Sequence, residues 1–232
     1  MESFPLPILP LPNIVMFPNT IIPMLIAEPS YVKMIKDCLI TDQSIGISMA
    51  EPVRNVKGEL NDPPRYSPQR IATMGKPVLL EENEDGSIKI LVKGEKRIEL
   101  LQVEQNIPYL IYRVRTLPDK RESGPLAFDS PNIERLKDIL NNWVEDTIED
   151  SLERESFFQT LESLHHIMDY LAMFMVGDRH VRQLLLENRS LHERIQMLSS
   201  LLRGEYPDCE DTLVVNAMKD FENTELEHYY VH

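Results

Sequence analysis

Prolines interrupt the apolar residues at the start of the chain, and this pattern constrains the fold more than any other feature. They occur within Leu9-Pro10-Leu11, Ile14-Val15-Met16-Phe17-Pro18-Asn19, Pro23-Met24 and Glu28-Pro29-Ser30-Tyr31. Each proline fixes φ near about −65° and removes a backbone donor, so this run as a whole cannot be an ordinary helix or a central strand. The sequence therefore predicts short extended segments broken by turns, with the prolines at sheet edges and strand starts.

A period of two in the apolar residues follows from Ile45 to Leu117, which predicts antiparallel strands with one face on a core. The clearest run places Ile88, Ile90 and Val92 on one face. The preceding dipeptide Asp85-Gly86 is typical of a type I′ hairpin turn.

The alternation changes phase near Leu100. Ile98 and Leu100 fall on one face, whereas Leu101 and Val103 fall on the other. We therefore expect a β-bulge near Leu100, because an extra residue bends a strand around a small barrel. The proline-rich segment from Glu51 to Pro68 predicts a long surface loop.

Apolar residues at steps of three and four predict about four helices in the second half of the chain. The first begins at Pro131 after Ser130, and the second follows Ser156, whose partner Gln159 would complete a capping box, and runs to Met175. Gly177-Asp178 opens the third helix. The fourth has a capping box of Ser190 and Glu193 and a stop at Gly204.

These patterns predict an α+β protein in which a barrel-like sheet precedes a helical bundle. The predicted boundaries are 1–118 for the sheet with one helix, 119–130 for a linker, 131–203 for the bundle and 204–232 for an acidic tail. The tail has one basic and eight acidic residues, and it carries half of the net charge of −14 of the whole chain. Such a composition is typical of solvated, mobile segments, and it also occurs in interaction arms.

The composition favours a cytoplasmic protein. Cys38 and Cys209 lie far apart and have no metal-binding spacing, which favours reduced thiols. The chain starts without a signal-like segment, and no window approaches the length of a membrane span, so no membrane association is expected.

Residues 6–203 resemble the Lon N-terminal domain, the substrate-engaging module of the ATP-dependent Lon proteases. The proline-rich opening up to Leu39 carries the resemblance, together with blocks further along the chain: Ile45-Gly46-Ile47, Ile71-Ala72-Thr73-Met74-Gly75, Asp85 to Val92, Gly94 to Ile98, Leu184 to Glu187 and Arg194 to Leu198. Asn19 and Ala72 stand where the family usually has glycine, and Asn tolerates the left-handed backbone that glycine allows.

The resemblance implies a PUA-like β-barrel with one short helix that begins near Pro29, followed by a helical bundle, that binds unfolded polypeptide or a protein partner and catalyses nothing. On this resemblance, we expect the recognition module without the ATPase and Ser-Lys peptidase domains of a full Lon protease. Its binding is expected in a shallow apolar cleft between the halves or by strand addition. The candidate contact residues are Phe17, Pro18, Met24 and Tyr31, which with Pro23 and Glu28 carry the fingerprint; the alternative is that they hold the first strands and helix together.

The sequence gives little support to three other kinds of site: a nucleotide site, a metal site and a hydrolase active site. Gly75-Lys76-Pro77 lacks the pattern of a phosphate-binding loop, so no nucleotide cofactor is expected. His165 and Asp169 are four residues apart, but no third ligand is suitably spaced for a metal site. No nucleophile has a recognisable context, which leaves a hydrolase a minority hypothesis.

RNA binding is the main rival hypothesis, because the PUA fold is a known RNA-binding fold. The residues expected on the exterior of the barrel are Lys89, Lys93, Arg97, Arg113 and Arg115. The near-neutral balance of residues 1–118, with 13 basic and 14 acidic residues, disfavours nucleic acid, as does the acidic remainder of the chain.

Overall fold

The computed structural model describes residues 2–52, 66–121, 131–161, 163–202 and 230–231. The chain forms two compact units that meet in sequence between Leu117 and Pro118. The sheet unit precedes this boundary and also includes the strand Tyr230–Val231, and the helical unit follows it.

The sheet unit has eight strands and one helix among its described residues. The strands are β1 Ser3–Leu11, β2 Ile21–Ile26, β3 Ile45–Pro52, β4 Tyr66–Pro68, β5 Ile71–Glu82, β6 Ile88–Gln105, β7 Ile111–Thr116 and β8 Tyr230–Val231, and the helix α1 is Pro29–Thr41. The helical unit contains α2 Pro131–Thr147, α3 Ser151–Thr160, α4 Leu164–Phe174, α5 Arg179–Glu187 and α6 Leu191–Leu201.

Five strands close into a ring. β1 lies parallel to β3 and antiparallel to β7, β6 joins β7 to β5, and β5 returns to β3. The predicted place of this proline-rich strand at a sheet edge is therefore wrong: β1 pairs with β7 over residues 3–7 and with β3 over residues 8–11, so each half needs ladder hydrogen bonds on one side only. β2 pairs with the first half of β6, and β8 lies parallel to β2. The predicted α+β class, with a barrel-like sheet before a helical region, is confirmed.

The inside of the ring is filled by the residues that strand alternation predicts. One core cluster consists of Leu6, Ile8, Ala72, Ile98, Leu100 and Val114. Ile88, Ile90 and Val92 are fully buried, which confirms their predicted inward face. The β6–β7 register shifts between Leu100 and Gln102, so the predicted bulge is present.

The β5–β6 hairpin turns where Asp85-Gly86 predicts, but the turn type differs. Gly86 has φ 85° and its N–H donates to the carbonyl of Asn83 at 3.0 Å. Among the described non-glycine residues only Asn19 and Asp42 have positive φ, so Asp85 cannot occupy a type I′ position. The connection is a turn closed by a left-handed glycine, which is typical of three-residue hairpin loops.

The start of helix α1 is fixed by a side-chain cap and a proline. Glu28 is the N-cap and its carboxylate accepts from the backbone N–H of Tyr31 at 3.1 Å, while Pro29 occupies the first helical turn, where a missing N–H costs little. Asn19 has φ 64°, so the asparagine does adopt the left-handed backbone at that turn.

The helical unit has five described helices where about four were expected. The apolar stripe after Ser156 is divided between α3 and α4, and Ser156 lies inside α3. The N-cap of α3 is Asp150, whose carboxylate accepts from Leu152 N and Glu153 N, so the predicted Ser156–Gln159 capping box is wrong. Its competitor, Asp150 followed by Glu153, has the same sequence spacing.

The other helix starts agree with the prediction where the structure describes them. α2 begins at Pro131, Asp178 caps α5, and Ser190 caps α6 by accepting from Glu193 N at 3.2 Å. Ser130 and Gly204 lie outside the described residues, as do 53–65 of the predicted loop and most of the predicted linker and tail.

Candidate functional site

The four sequence candidates mostly lie inside the sheet unit. Phe17 and Met24 are 0% exposed, and Pro18 is also buried. The carbonyl of Phe17 accepts from the hydroxyl of Thr20 at 2.7 Å, which fixes the turn before β2. Only Tyr31 of the four is half-buried, and burial, together with the nearby Glu28 carboxylate, raises its pKa to about 12. Their burial indicates packing within the unit.

An apolar patch that single residues did not reveal lies on the outer side of β2, β6 and β5. Pro23, Leu91 and Val78 are directly opposite one another across the three strands, and Leu80 lies at the bulge next along β5. Val78 is 53% and Leu80 54% exposed, while Pro23 and Leu91 are half-buried. We call these four residues the apolar sheet face.

The position of Pro23 keeps this sheet intact. Gly94 N–H donates to the carbonyl of Thr20, so the pair Ile21–Lys93 is a non-hydrogen-bonded pair of the antiparallel ladder. By alternation, Pro23–Leu91 is also such a pair, and the nitrogen of Pro23 faces away from β6. The pyrrolidine ring of Pro23 therefore removes no hydrogen bond to β6, and it adds apolar surface.

Lysines surround the apolar sheet face. Lys93 is exposed in the neighbouring row, and Lys76 binds Asp42 at 2.8 Å. Lys89 lies on the other side and binds Glu81 at 2.8 Å. The alternation along β5 and β6 thus produces an apolar row between charged rows.

The basic exterior expected from the sequence is largely neutralised. Arg113 pairs with Glu104 at 2.5 Å, and Arg115 pairs with Glu99 at 2.5 Å. Burial opposes ionisation of Glu99, yet Arg115 and Arg70 hold its pKa below the usual range. These pairings balance the positive charges of Arg113 and Arg115.

Arg97 is 4% exposed, so its predicted place on the open exterior is wrong. It lies opposite Thr73, whose hydroxyl donates to the carbonyl of Met16 at 2.6 Å. The segment around Met16 therefore covers this part of the outer face. Strand alternation identifies the face of a side chain and does not indicate whether another segment covers it.

A second exposed site joins α1 to the β6–β7 connection. The Tyr109 hydroxyl donates to Asp37 at 2.9 Å. Ile40, three residues after Asp37 in the chain, is 83% exposed, and Ile107, two residues before Tyr109, is 86% exposed. Hydrogen bonds from Lys33 and Tyr109 lower the pKa of Asp37, and burial together with Asp37 raises that of Tyr109 to about 12.

The described residues provide little support for a reactive centre. Cys38 is a free, buried thiol whose pKa burial raises to about 11, which suppresses nucleophilic thiolate. Across the described ranges, no three His, Cys, Asp or Glu residues are grouped as metal ligands. In the same part of the chain, no helix has the length and apolar character to cross a membrane.

His165 and Asp169 share a helix face as their spacing predicts, but both lie against Arg194. The Arg194 guanidinium donates to Asp169 at 2.6 Å and contacts Asp119 at 3.3 Å, with His165 Nδ1 3.0 Å away. Arg194 is 1% exposed. Sequence reasoning missed this ion cluster, because the partners of Arg194 lie 25 to 75 positions before it in the chain.

The backbone near Asp119 is also fixed to the helical unit. Arg189 Nε donates to the Pro118 carbonyl at 2.7 Å, and Lys120 N–H donates to the Arg189 carbonyl at 2.9 Å. With the Asp119–Arg194 contact, these bonds hold residues 118–120 against α5 and α6. The arrangement is a structural clamp and not a catalytic triad.

The chain is similar to known proteins over most of its length. Lon protease 2 of Myxococcus xanthus is 26% identical over 197 residues, which are 85% of this chain and 23% of that protein. Lon protease 1 of Syntrophobacter fumaroxidans is 22% identical over 230 residues, or 98% of this chain and 27% of that protein. The chain therefore spans about a quarter of the length of these curated relatives.

Two solved structures share its fold. A Lon N-terminal domain protein from Xanthomonas campestris has a TM-score of 0.59 at 18% identity and covers 85% of this chain and 98% of its own. The N-terminal domain of the Mycobacterium avium complex Lon protease has a TM-score of 0.60 at 15% identity, covering 87% and 100%. Residues 5–204 match the family profile described as the ATP-dependent protease La (LON) substrate-binding domain. The chain belongs to this family of Lon substrate-binding domains.

Proposed function

We propose that this protein is a non-catalytic polypeptide-binding module and that the apolar sheet face contacts the polypeptide. The observation that carries the proposal is the exposure of Val78 and Leu80, each more than half accessible, beside Pro23 and Leu91 in a family named for substrate binding. Contiguous exposed apolar side chains on a folded surface mark sites of association.

The chemistry of the face favours an extended, mostly apolar polypeptide. Strand separation of about 4.8 Å spreads the row Pro23–Leu91–Val78 over about 10 Å, enough for two or three client side chains. Aliphatic side chains impose few directional requirements, so such contacts tolerate many sequences. Two of the lysines beside the row, Lys76 and Lys89, are paired with Asp42 and Glu81, so the surrounding charge imposes little preference on a client.

RNA binding receives less support than polypeptide binding. Three arginines were expected to form a phosphate-binding face. Arg113 and Arg115 are paired with glutamates, and Arg97 is buried. A protein that binds RNA through phosphates needs unbalanced positive charge on one surface. We also propose that the protein is cytoplasmic, as its composition predicts.

A matched pair of double variants tests the proposal. Val78→Ser/Leu80→Ser removes two half-exposed aliphatic side chains from the face, and Leu101→Ser/Val103→Ser removes two that are each 44% exposed elsewhere in the sheet unit. Binding of fluorescently labelled casein, followed by anisotropy, is expected to weaken about thirtyfold in the first, since each of the two side chains buried on binding contributes about 1 kcal/mol.

The control variant is expected to change affinity less than about twofold, because its side chains lie outside the proposed contact. Equal losses in both variants would remove the apolar sheet face from the proposal. Absence of saturable binding by the unmodified protein would overturn polypeptide binding itself. Circular dichroism of each variant checks that the strands are retained.

A further inference from the structure

The helical unit carries a continuous row of aromatic rings. Trp143 stacks on Phe174 with ring centroids 5.5 Å apart, and Phe174 stacks on Tyr170 at 5.8 Å. Phe157 meets Tyr170 edge-on at 5.0 Å and Phe158 at 5.8 Å. We call these five residues the aromatic face.

The aromatic face lies at the surface of the unit. Tyr170 is 8% exposed, and the other four rings are half-buried. The fully buried side chains of α2 are aliphatic: Ile133, Leu136, Leu140 and Val144. Aromatic rings that keep part of their surface accessible are enriched where proteins associate, because each offers a large and rigid contact area.

The helix α3 lacks a buried side of its own. None of its ten residues, all of which the structure describes, is buried, and Leu152 is 74% exposed. A helix of this length is marginal unless an apolar side is packed. Its ring contacts come from Phe157 and Phe158, so additional apolar contact along this side would stabilise it.

Carboxylates are concentrated in the stretch of chain between Trp143 and Phe157, and this stretch forms an acidic border beside these two members of the aromatic face in the sequence. Residues 145–155 join the end of α2 to α3 and expose six acidic side chains: Glu145, Asp146, Glu149, Asp150, Glu153 and Glu155. The one basic residue in this stretch, Arg154, donates Nη1 to the carbonyls of Ile148 at 2.8 Å and Glu149 at 3.2 Å. The border is therefore strongly negative.

We propose that the aromatic face is a second docking surface, and that its occupant is a polypeptide segment in which lysine or arginine alternates with large apolar side chains. The apolar side chains would cover the aromatic rings and α3, and the cations would lie against the carboxylates. Charge complementarity selects this occupant, because the six carboxylates repel nucleic acid and acidic segments. Cations over aromatic rings add attraction that an acidic segment cannot provide.

This surface belongs to the helical unit and uses none of the residues of the apolar sheet face. The inference therefore does not depend on the proposed function, and each can fail alone. Trp143 is the single tryptophan of the chain, so its emission reports on the aromatic face without labelling.

Two synthetic peptides of equal length and identical leucine positions test the charge requirement. One carries lysine and the other glutamate at every charged position. Titration followed by Trp143 emission is expected to show saturable binding of the lysine peptide, at least about tenfold tighter than the glutamate peptide at low salt. The ratio should fall to about twofold in 0.5 M salt, since solvent-exposed charges are screened.

A charge-neutralised variant locates the contact. Glu145→Gln/Glu149→Gln/Glu155→Gln removes three carboxylates from the border, and Glu2→Gln/Glu84→Gln/Glu95→Gln removes three exposed ones from the sheet unit. The first is expected to weaken the lysine peptide at least fivefold, and the matched control less than about twofold. Val78→Ser/Leu80→Ser is expected to leave this titration unchanged.

Three outcomes would overturn the inference: equal affinity for both peptides, equal losses in the two triple variants, or no change in Trp143 emission at saturating lysine peptide. All six positions are exposed, so the substitutions are expected to leave the fold intact. Circular dichroism of the triple variants checks that a loss of binding is not caused by unfolding. Isothermal calorimetry on the same peptides provides a readout independent of the fluorophore.

Discussion

The two units of the protein expose apolar surface in different electrostatic settings. The apolar sheet face is aliphatic and lies beside Lys93 and two ion pairs, Lys76–Asp42 and Lys89–Glu81, whereas the aromatic face is bordered by carboxylates. Apolar contact area supplies affinity in both places, while the surrounding charge determines which segments approach. The comparison teaches that hydrophobic exposure alone does not define the partner of a binding domain.

The units also differ in what holds them together. The sheet unit closes a ring of strands around aliphatic side chains, and the helical unit contains a fully buried arginine among carboxylates. An apolar core responds mainly to changes of volume, whereas a buried charge responds to loss of its partner. The following predictions test this contrast.

The largest effect is expected from Arg194→Met. The substitution leaves the 1%-exposed Asp169 without its guanidinium partner, which should destabilise the helical unit by about 3–5 kcal/mol. Urea unfolding followed by Trp143 emission measures the loss. Hydrogen exchange of the sheet unit should stay near that of the unmodified protein.

The double variant Asp169→Leu/Arg194→Met is the matched control for this prediction. Removing both charges should recover a substantial part of the stability, because no buried ion is then left unpaired. If the double variant were as unstable as the single one, packing rather than charge would explain the effect.

A smaller effect, confined to the other unit, is expected from Gly75→Ala. A Cβ at this position would overlap the backbone carbonyl of Lys93, where the β5–β6 register shifts, and backbone cannot yield as a side chain can. We expect a loss of about 1–3 kcal/mol. Hydrogen exchange of β5 and β6 should accelerate while Trp143 emission is unchanged.

Gly86→Ala provides the comparison for backbone crowding. Its Cβ would meet nothing within 4 Å, so only the left-handed φ of 85° opposes the substitution. That conformation costs about 1–2 kcal/mol for a residue with a side chain. A loss at Gly75 smaller than at Gly86 would contradict the proposed overlap with Lys93.

The smallest effect is expected from Tyr109→Phe, which removes the hydroxyl that binds Asp37 at 2.9 Å. The pKa of Asp37 should rise toward its usual value, as measured by NMR titration, and stability at pH 7 should fall by about 1 kcal/mol or less.

The pH dependence of this stability difference has a defined sign. Because the folded pKa of Asp37 is lowered, its contribution is present above the unfolded pKa of about 4 and is lost as pH falls through the folded value. For Tyr109, with a folded pKa of about 12, the contribution is present below the unfolded pKa of about 10 and disappears as pH rises through 12. Tyr112→Phe, where burial alone raises the pKa, should leave the Asp37 titration unchanged.

Patterns local in sequence predicted the fold well. Alternation at Ile88, Ile90 and Val92 gave the inward face of β6, and its change of phase located the bulge near Leu100. The predicted helix starts at Asp178 and Ser190 are confirmed, because both side chains accept nearby backbone N–H groups. These features depend on a few neighbouring residues, so the sequence contains them directly.

The division of one predicted helix into α3 and α4 was not predicted. Its apolar stripe continues across Leu161, and the interruption contains neither glycine nor proline. The signal was available at Asp150 and Glu153, which have capping-box spacing. A continuous apolar period does not establish a continuous helix.

The candidate surfaces were the least predictable feature. Phe17, Pro18 and Met24 are distinctive in the sequence because the fold requires them inside, whereas Val78 and Leu80 are unremarkable until the strands β2, β6 and β5 lie side by side. The partners of Arg194 were likewise separated by many positions. Both features depend on tertiary pairing that no local pattern encodes.

The ring of strands has a consequence for synthesis on the ribosome. Ser3 is paired with Arg115, so β1 cannot complete its contacts until β7 has emerged. At about 5–20 residues per second, the intervening hundred or so residues take about 5–20 s to translate. During that interval the aliphatic residues of β1 remain on an unfinished nascent chain, and we expect ribosome-associated chaperones to engage this polypeptide before it folds.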